Sequence, residues 1–449
     1  MRYLGIFVLS VSLFCAAARA DDSLYERAPI NYSTAAAHDP VARLHEEIGS
    51  GKIKLDYDAK TGYLPALLKS LNIPISSQVL VFSKTSFQRD LINPEHPRAL
   101  YFNDDVYVGF VQHGDVLEIS STDPRNGPIY YTMRQRRASG PVLVRQNDSC
   151  LQCHASSITN DLPGHIVRSV FPDADGQPIY SAGTFRINPS SPLKNRWGGW
   201  YVTGTSGRQP HMGNVIASDK DDAEKTNFCA GANLISLAEK LDTSPYLSPH
   251  SDIVAHMVLE HQTFVHNLIT RASILTRLTM QDAAELNKAL NRPPGYRSES
   301  TISRIKNAVE PLLQGMLFCE ETPLTDAVRG TSGFAEEFAA RGPKDEQGRS
   351  LRTLDLKARM FKYPCSYLIH SESFAALPPE AREQFFIRLD EVLSGKDQSK
   401  EFAHLSIQDR QAIREILLTT MKDLPACFKA AQSPQARYNG DDGTNSTRN

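Results

Sequence analysis

Between Val79 and Gln135 the chain is written in short runs of β-branched and aromatic residues. That period constrains the fold more than any other feature. The runs are "QVLVFS", "ALYF", "VYVGFV", "VLEIS" and "PIYYTMRQ". Turn residues separate them, among them Asn103-Asp104-Asp105 and His113-Gly114-Asp115. Runs of this length, bounded this way, predict strands. "VYVGFVQHGDVLEIS" reads as a hairpin turning at His113 to Asp115. "HIVRSVFPDADGQPIYSAGTF" reads as a second hairpin, turning at Asp173 to Gly176. The Asp-x-Asp-Gly in that turn lacks the rest of a calcium loop, so it reads as a plain turn.

From about residue 220 the period changes to that of helices. "DIVAHMVLEHQTFVHNLITRASIL" predicts one long helix capped by Ser251-Asp252, with Ile253, Met257, Phe264 and Leu268 on its apolar side. "STISRIKNAVEPLLQGMLF" predicts another, with a kink expected at Pro311. "LPPEAREQFFIRLDEVLSG" opens on prolines and stops at Gly395, and "SIQDRQAIREILLTTM" opens with a capping-box pattern at Ser406 and Asp409. The expected fold class is α+β: a β-rich N-terminal half and a helical C-terminal half. The expected divisions are a lead-in segment over 21–60 with a short helix at "VARLHEEI", a β-rich domain over 61–218, a helical domain over 219–432 and a disordered tail over 433–449. No internal repeat is visible.

Residues 1–20 read as a secretory signal peptide. Arg2 is followed by an apolar run from Leu4 to Ala18, and Ala18-Arg19-Ala20 supplies small residues at the cleavage site. The run is too short to span about 30 Å of hydrocarbon comfortably. No other stretch is apolar enough to cross a membrane, so the mature protein is expected to be periplasmic or otherwise exported, with no integral membrane segment. A net charge of −2 gives no reason to expect nucleic acid as a partner. With 41% hydrophobic residues a core can be built without disulfides. Of seven cysteines, Cys15 lies in the leader. Cys229, Cys319, Cys365 and Cys427 stand far apart, with three possible pairings. Cys319 with Cys365 is the pair to test first, because both border helical segments of one half.

The remaining two cysteines lie in "QNDSCLQCHASS", as Cys150-Leu151-Gln152-Cys153-His154. Two intervening residues set two sulfurs at the separation of the haem vinyl groups, and the histidine that follows can reach the iron from the same face. C-x-x-C-H therefore reads as covalent attachment of one haem c, held by Cys150 and Cys153, with His154 as proximal iron ligand. A zinc site needs a second close pair of ligands, which the sequence lacks. A thioredoxin-like dithiol would sit at a helix N-terminus in a βαβ setting, and that pattern is missing. A plain disulfide or a chance match is the remaining alternative.

On these residues the chain resembles a c-type cytochrome. More widely, "SQVLVFSKTSFQR", "RALYFNDDVYVGFV", "RWGGWYVTGT" and "YPCSYLI" resemble segments of large exported bacterial proteins that carry a single cytochrome c motif. The resemblance implies covalent haem, electron transfer and exported redox partner proteins. The chain is far larger than a small electron carrier and sets its motif mid-chain among strands, a departure from the compact helical haem fold.

Activity then depends on what opposes His154 across the iron. His211 is the leading candidate, in "RWGGWYVTGTSGRQPHMGN", where glycines allow close approach and Trp197 and Trp200 can pack on a porphyrin. Met212, His165 and His261 are weaker candidates. Arg168 could pair with a haem propionate. A second strong ligand would make an electron carrier. A vacant or labile sixth position would instead make a peroxidase- or oxidase-like haem enzyme, or a redox or gas sensor. No G-x-S-x-G, G-x-G-x-x-G or P-loop pattern is present.

Overall fold

The computed structural model describes residues 23–217 and 221–430. The expected signal peptide and the expected tail therefore lie outside the described residues. The architecture is mixed, with an antiparallel sheet in the N-terminal half and helices in the C-terminal half.

Helix α1 (Pro40–Gly49) opens on Asp39, whose carboxylate accepts from the amides of Val41 and Ala42. A short helix α2 (Leu64–Ser70) follows. The strands are β1 (Val79–Val81), β2 (Arg98–Phe102), β3 (Val106–Phe110), β4 (Val116–Asp123), β5 (Gly127–Arg134) and β6 (Leu143–Arg145). After β6 comes a single helical turn, α3 (Leu151–His154). Then come β7 (Arg168–Val170), β8 (Thr184–Arg186) and β9 (Trp200–Tyr201).

The main sheet has the order β6-β5-β4-β3-β2-β1-β9, and β7 pairs with β8 apart from it. Every pairing is antiparallel. Both expected hairpins form. His113 takes a left-handed backbone at the first turn, and Gly176 does so at the second.

The second half is carried by α4 (Ile253–Ala289), followed by α5 (Glu299–Met316), α6 (Phe334–Ala340), α7 (Glu372–Ala375), α8 (Pro379–Leu393), α9 (Ile407–Thr420) and α10 (Ala426–Ala430). Asp252 caps α4 at the amides of Val254 and Ala255. It is fully buried and also accepts from the backbone of Thr331 and Ser332. Pro311 lies inside α5, and α9 closes the expected capping box between Ser406 and Asp409.

The period of two decides what each sheet face meets. Val108, Leu117, Ile119, Ile129 and Met133 face a core built with Tyr32, Val41, Leu64 and Leu67. On the opposite face Val79, Val81, Phe102 and Tyr107 pack with Trp197, Trp200 and α4. That second covering stops short of part of the sheet. Gly109, Glu118, Thr132 and Val144 form one row across β3 to β6. Within that row Glu118 and Thr132 are half-buried and Val144 is 44% exposed.

Among the described residues Cys150, Cys153, Cys229, Cys319 and Cys365 are all free thiols. The expected Cys319–Cys365 bridge does not form: Cys365 is fully buried among apolar side chains of the helical core, and Cys319 is only packed against that core. No described helix is long and apolar enough to cross a membrane.

Candidate functional site

Strand β6 leads directly into the cysteine motif. The ladder continues one residue past it, with the Gln146 amide on the Tyr130 carbonyl at 2.8 Å. The chain then turns through Asn147 to Ser149 and closes one helical turn. The His154 amide donates to the Cys150 carbonyl at 2.9 Å, and the Ala155 amide to that of Leu151 at 2.9 Å. Leu151 is buried in the sheet's core and pins the turn down. Three residues apart on that turn, Cys150 and Cys153 share a side. Cys150 is half-buried and Cys153 exposed. Burial is the main cause that pushes the Cys150 thiol up to about 11, with Glu118 adding to it. A disulfide oxidoreductase needs the opposite shift, toward thiolate. Among the described residues no group of three or more His, Cys, Asp or Glu side chains is placed to hold a metal ion.

His154 is held by the strand-entry segment ten residues on. Its Nδ1 lies 2.9 Å from the carbonyl oxygen of Gly164. A carbonyl only accepts, so Nδ1 carries the proton and Nε2 keeps its lone pair. Burial lowers the pKa of the ring, which favours the neutral form. The Gly164 amide donates back to the His154 carbonyl at 2.8 Å. Tyr130 packs on the imidazole with ring centroids 4.7 Å apart, and its hydroxyl donates to the same Gly164 oxygen at 2.7 Å. Gly164 suits this place because a Cβ there would come within 3.0 Å of Asn267 and Thr159.

The residues present fit a covalently held haem. A half-buried and an exposed thiol lie on one side of a turn. The imidazole beside them has its Nδ1 proton on a backbone carbonyl, the arrangement that orients metal-ligating histidines. Its Nε2 has no hydrogen-bond partner among the described residues.

The other candidates are placed differently. His165 follows Gly164 and is buried against Tyr107, centroids 4.5 Å apart, with His266 at 5.9 Å. Its own Nε2 is buried without a partner. His211 is buried, and its Nδ1 accepts from the Gly213 amide at 3.1 Å. That bond puts the proton of the neutral ring on Nε2. Met212 lies in a small separate cluster with Phe171 and Ile179. His261 is stacked on Phe318 at 4.3 Å, with Nε2 on the Ser366 hydroxyl at 2.8 Å. Trp197 and Trp200 are both core residues packed on His256. No hydrogen bond or ring contact joins His211 or His261 to His154 among the described residues.

Three features escaped sequence reasoning. Tyr130, within the strand run "PIYYTMRQ", seats His154. The Gly164 carbonyl carries no side-chain signal. The ion pair of Arg98 and Glu118, 2.8 Å apart, lies on the open row of the sheet, and its charges act on both Cys150 and His154. Glu118 could have been noticed as the acid in "VLEIS", where an apolar strand points it to the face opposite Leu117 and Ile119.

The chain matches no family model, no curated protein and no solved structure.

Proposed function

We propose that the protein is an exported monohaem c-type cytochrome whose default activity is electron transfer. The observation that carries this reading is the conjunction at α3: Cys150 and Cys153 on one turn, with His154 locked through Nδ1 to Gly164 and its Nε2 free. Each thiol adds across one vinyl group. The sulfur bonds one vinyl carbon and the proton ends on the other, leaving two thioethers. Haem bound here would supply one electron at a time to exported redox partner proteins. The chain's own part is to fix the proximal ring. Gly164 sets the tautomer, and Tyr130 blocks rotation of the imidazole.

The packing of His211 on Trp197 and of His261 on Phe318, with neither joined to His154 among the described residues, favours a second reading, in which the sixth position is labile and the protein is a haem enzyme or a sensor. The two readings separate spectrally. Haem-loaded protein that is low-spin and indifferent to carbon monoxide and cyanide supports the carrier. A high-spin ferric form that binds both supports the enzyme or sensor.

A further inference from the structure

The uncovered part of the sheet adjoins the cysteine motif on two sides. Val144 precedes Cys150 by six residues on the same strand-and-turn segment. Tyr130, which seats His154, occupies the row of side chains next to Gly109, Glu118, Thr132 and Val144. This row is built unlike the rest of the sheet. Gly109 has no side chain, and the guanidinium of Arg98 lies flat over it, where a Cβ would collide. Arg98 reaches from there to Glu118. The carboxylate is held from its other side by the hydroxyl of Ser86 at 3.3 Å and by Nε2 of Gln88 at 3.1 Å. Between those two residues Phe87 stands 69% exposed, and Val142 and Val144 are 42% and 44% exposed. Exposed apolar side chains beside a largely buried charge pair suit a planar macrocycle that carries charge.

We propose that the exposed margin of this sheet face, at Val142 and Val144 beside the half-buried Arg98–Glu118 pair, is the wall against which a haem attached at Cys150 and Cys153 lies. The inference rests on the covalent-haem reading and adds the residues that would set the iron's electrostatics. Arg98 and Glu118 have side chains only 18% and 15% exposed, so solvent screens their charges incompletely. A cation beside the iron disfavours the ferric state, which carries one more positive charge than the ferrous state, and an anion favours it.

The test uses full-length exported protein, with covalent haem content measured first. If the native protein carries no haem, the underlying reading fails. If haem is present, Arg98→Met is expected to lower the midpoint potential and Glu118→Gln to raise it. Each change should be about threefold or more in the one-electron equilibrium constant. A second variant, Val144→Trp, places an indole on the proposed wall itself. The fluorescence of the added indole should be quenched in haem-loaded protein and recovered in the Cys150→Ala/Cys153→Ala background. Haem-loaded protein in which the potential ignores both charge changes, or in which the added indole fluoresces equally with and without haem, would overturn the proposal.

Discussion

The imidazole Nδ1 of His154 lies 2.9 Å from the carbonyl oxygen of Gly164, and the Tyr130 hydroxyl reaches the same oxygen at 2.7 Å. One backbone carbonyl thus ties the motif histidine to the sheet. Tyr130→Phe keeps the ring against His154 and loses one buried hydrogen bond. Urea unfolding should show a loss of about 1 kcal/mol. Tyr130→Ala removes the ring as well and should cost about 3–5 kcal/mol. Haem-loaded Tyr130→Ala should also show an altered ferric spectrum, because the proximal ring is then free to turn.

Arg196 and Glu260 form an ion pair at 2.9 Å with side chains 7% and 1% exposed. Breaking a buried pair from one side strands the other charge. Arg196→Met should cost about 3–5 kcal/mol of unfolding free energy. Arg196→Met/Glu260→Leu should recover about 2 kcal/mol or more of that, because the stranded carboxylate is gone. A double variant no more stable than the single one would mean that the bonds from Arg196 to the Ser191 and Pro189 carbonyls account for the loss.

Several buried groups make stability depend on pH with a definite sign. Burial pushes His256, His261 and His266 down to about 3, and His211 and His370 down to about 4, from 6.5. Between those values the unfolded chain binds protons that the folded chain does not. These groups therefore make stability rise with pH up to about 6.5. Burial raises Glu260 and Asp105 to about 7, from 4.5 and 3.8. There the folded chain binds the extra proton, so stability falls as pH rises toward 7. Five histidines outweigh two carboxyls, and the protein should lose stability on acidification from about pH 6.5 to 4.5. Urea midpoints across that range, measured on haem-free Cys150→Ala/Cys153→Ala protein, check the slope. Adding Glu260→Gln should steepen it.

The strands from Val79 to Arg134 were legible because each is a short β-branched and aromatic run between turn residues. The long helix at Ile253 was legible from its spacing and its Asp252 cap. β9 was not, since two residues, Trp200 and Tyr201, complete a strand only by pairing with β1. Within the site, Cys150, Cys153 and His154 were legible because their spacing is local. The partner of His154 was not, because Gly164 contributes a backbone oxygen that any residue has. His211 looked available in a polar, glycine-rich loop. Its Nδ1 is taken by one amide, that of Gly213, whose direction is fixed only once the loop has folded. The acidic and histidine-rich face of α4 is buried and hydrogen-bonded in the core, because the helix runs between the sheet and the other helices.

The central claim, covalent haem at Cys150 and Cys153, is tested most directly by acid–acetone extraction of full-length protein exported from a host that matures c-type haem. The account predicts one haem per chain that stays with the protein through extraction and is lost in Cys150→Ala/Cys153→Ala. Native protein that comes through free of haem, or a double variant that keeps it, would contradict the account.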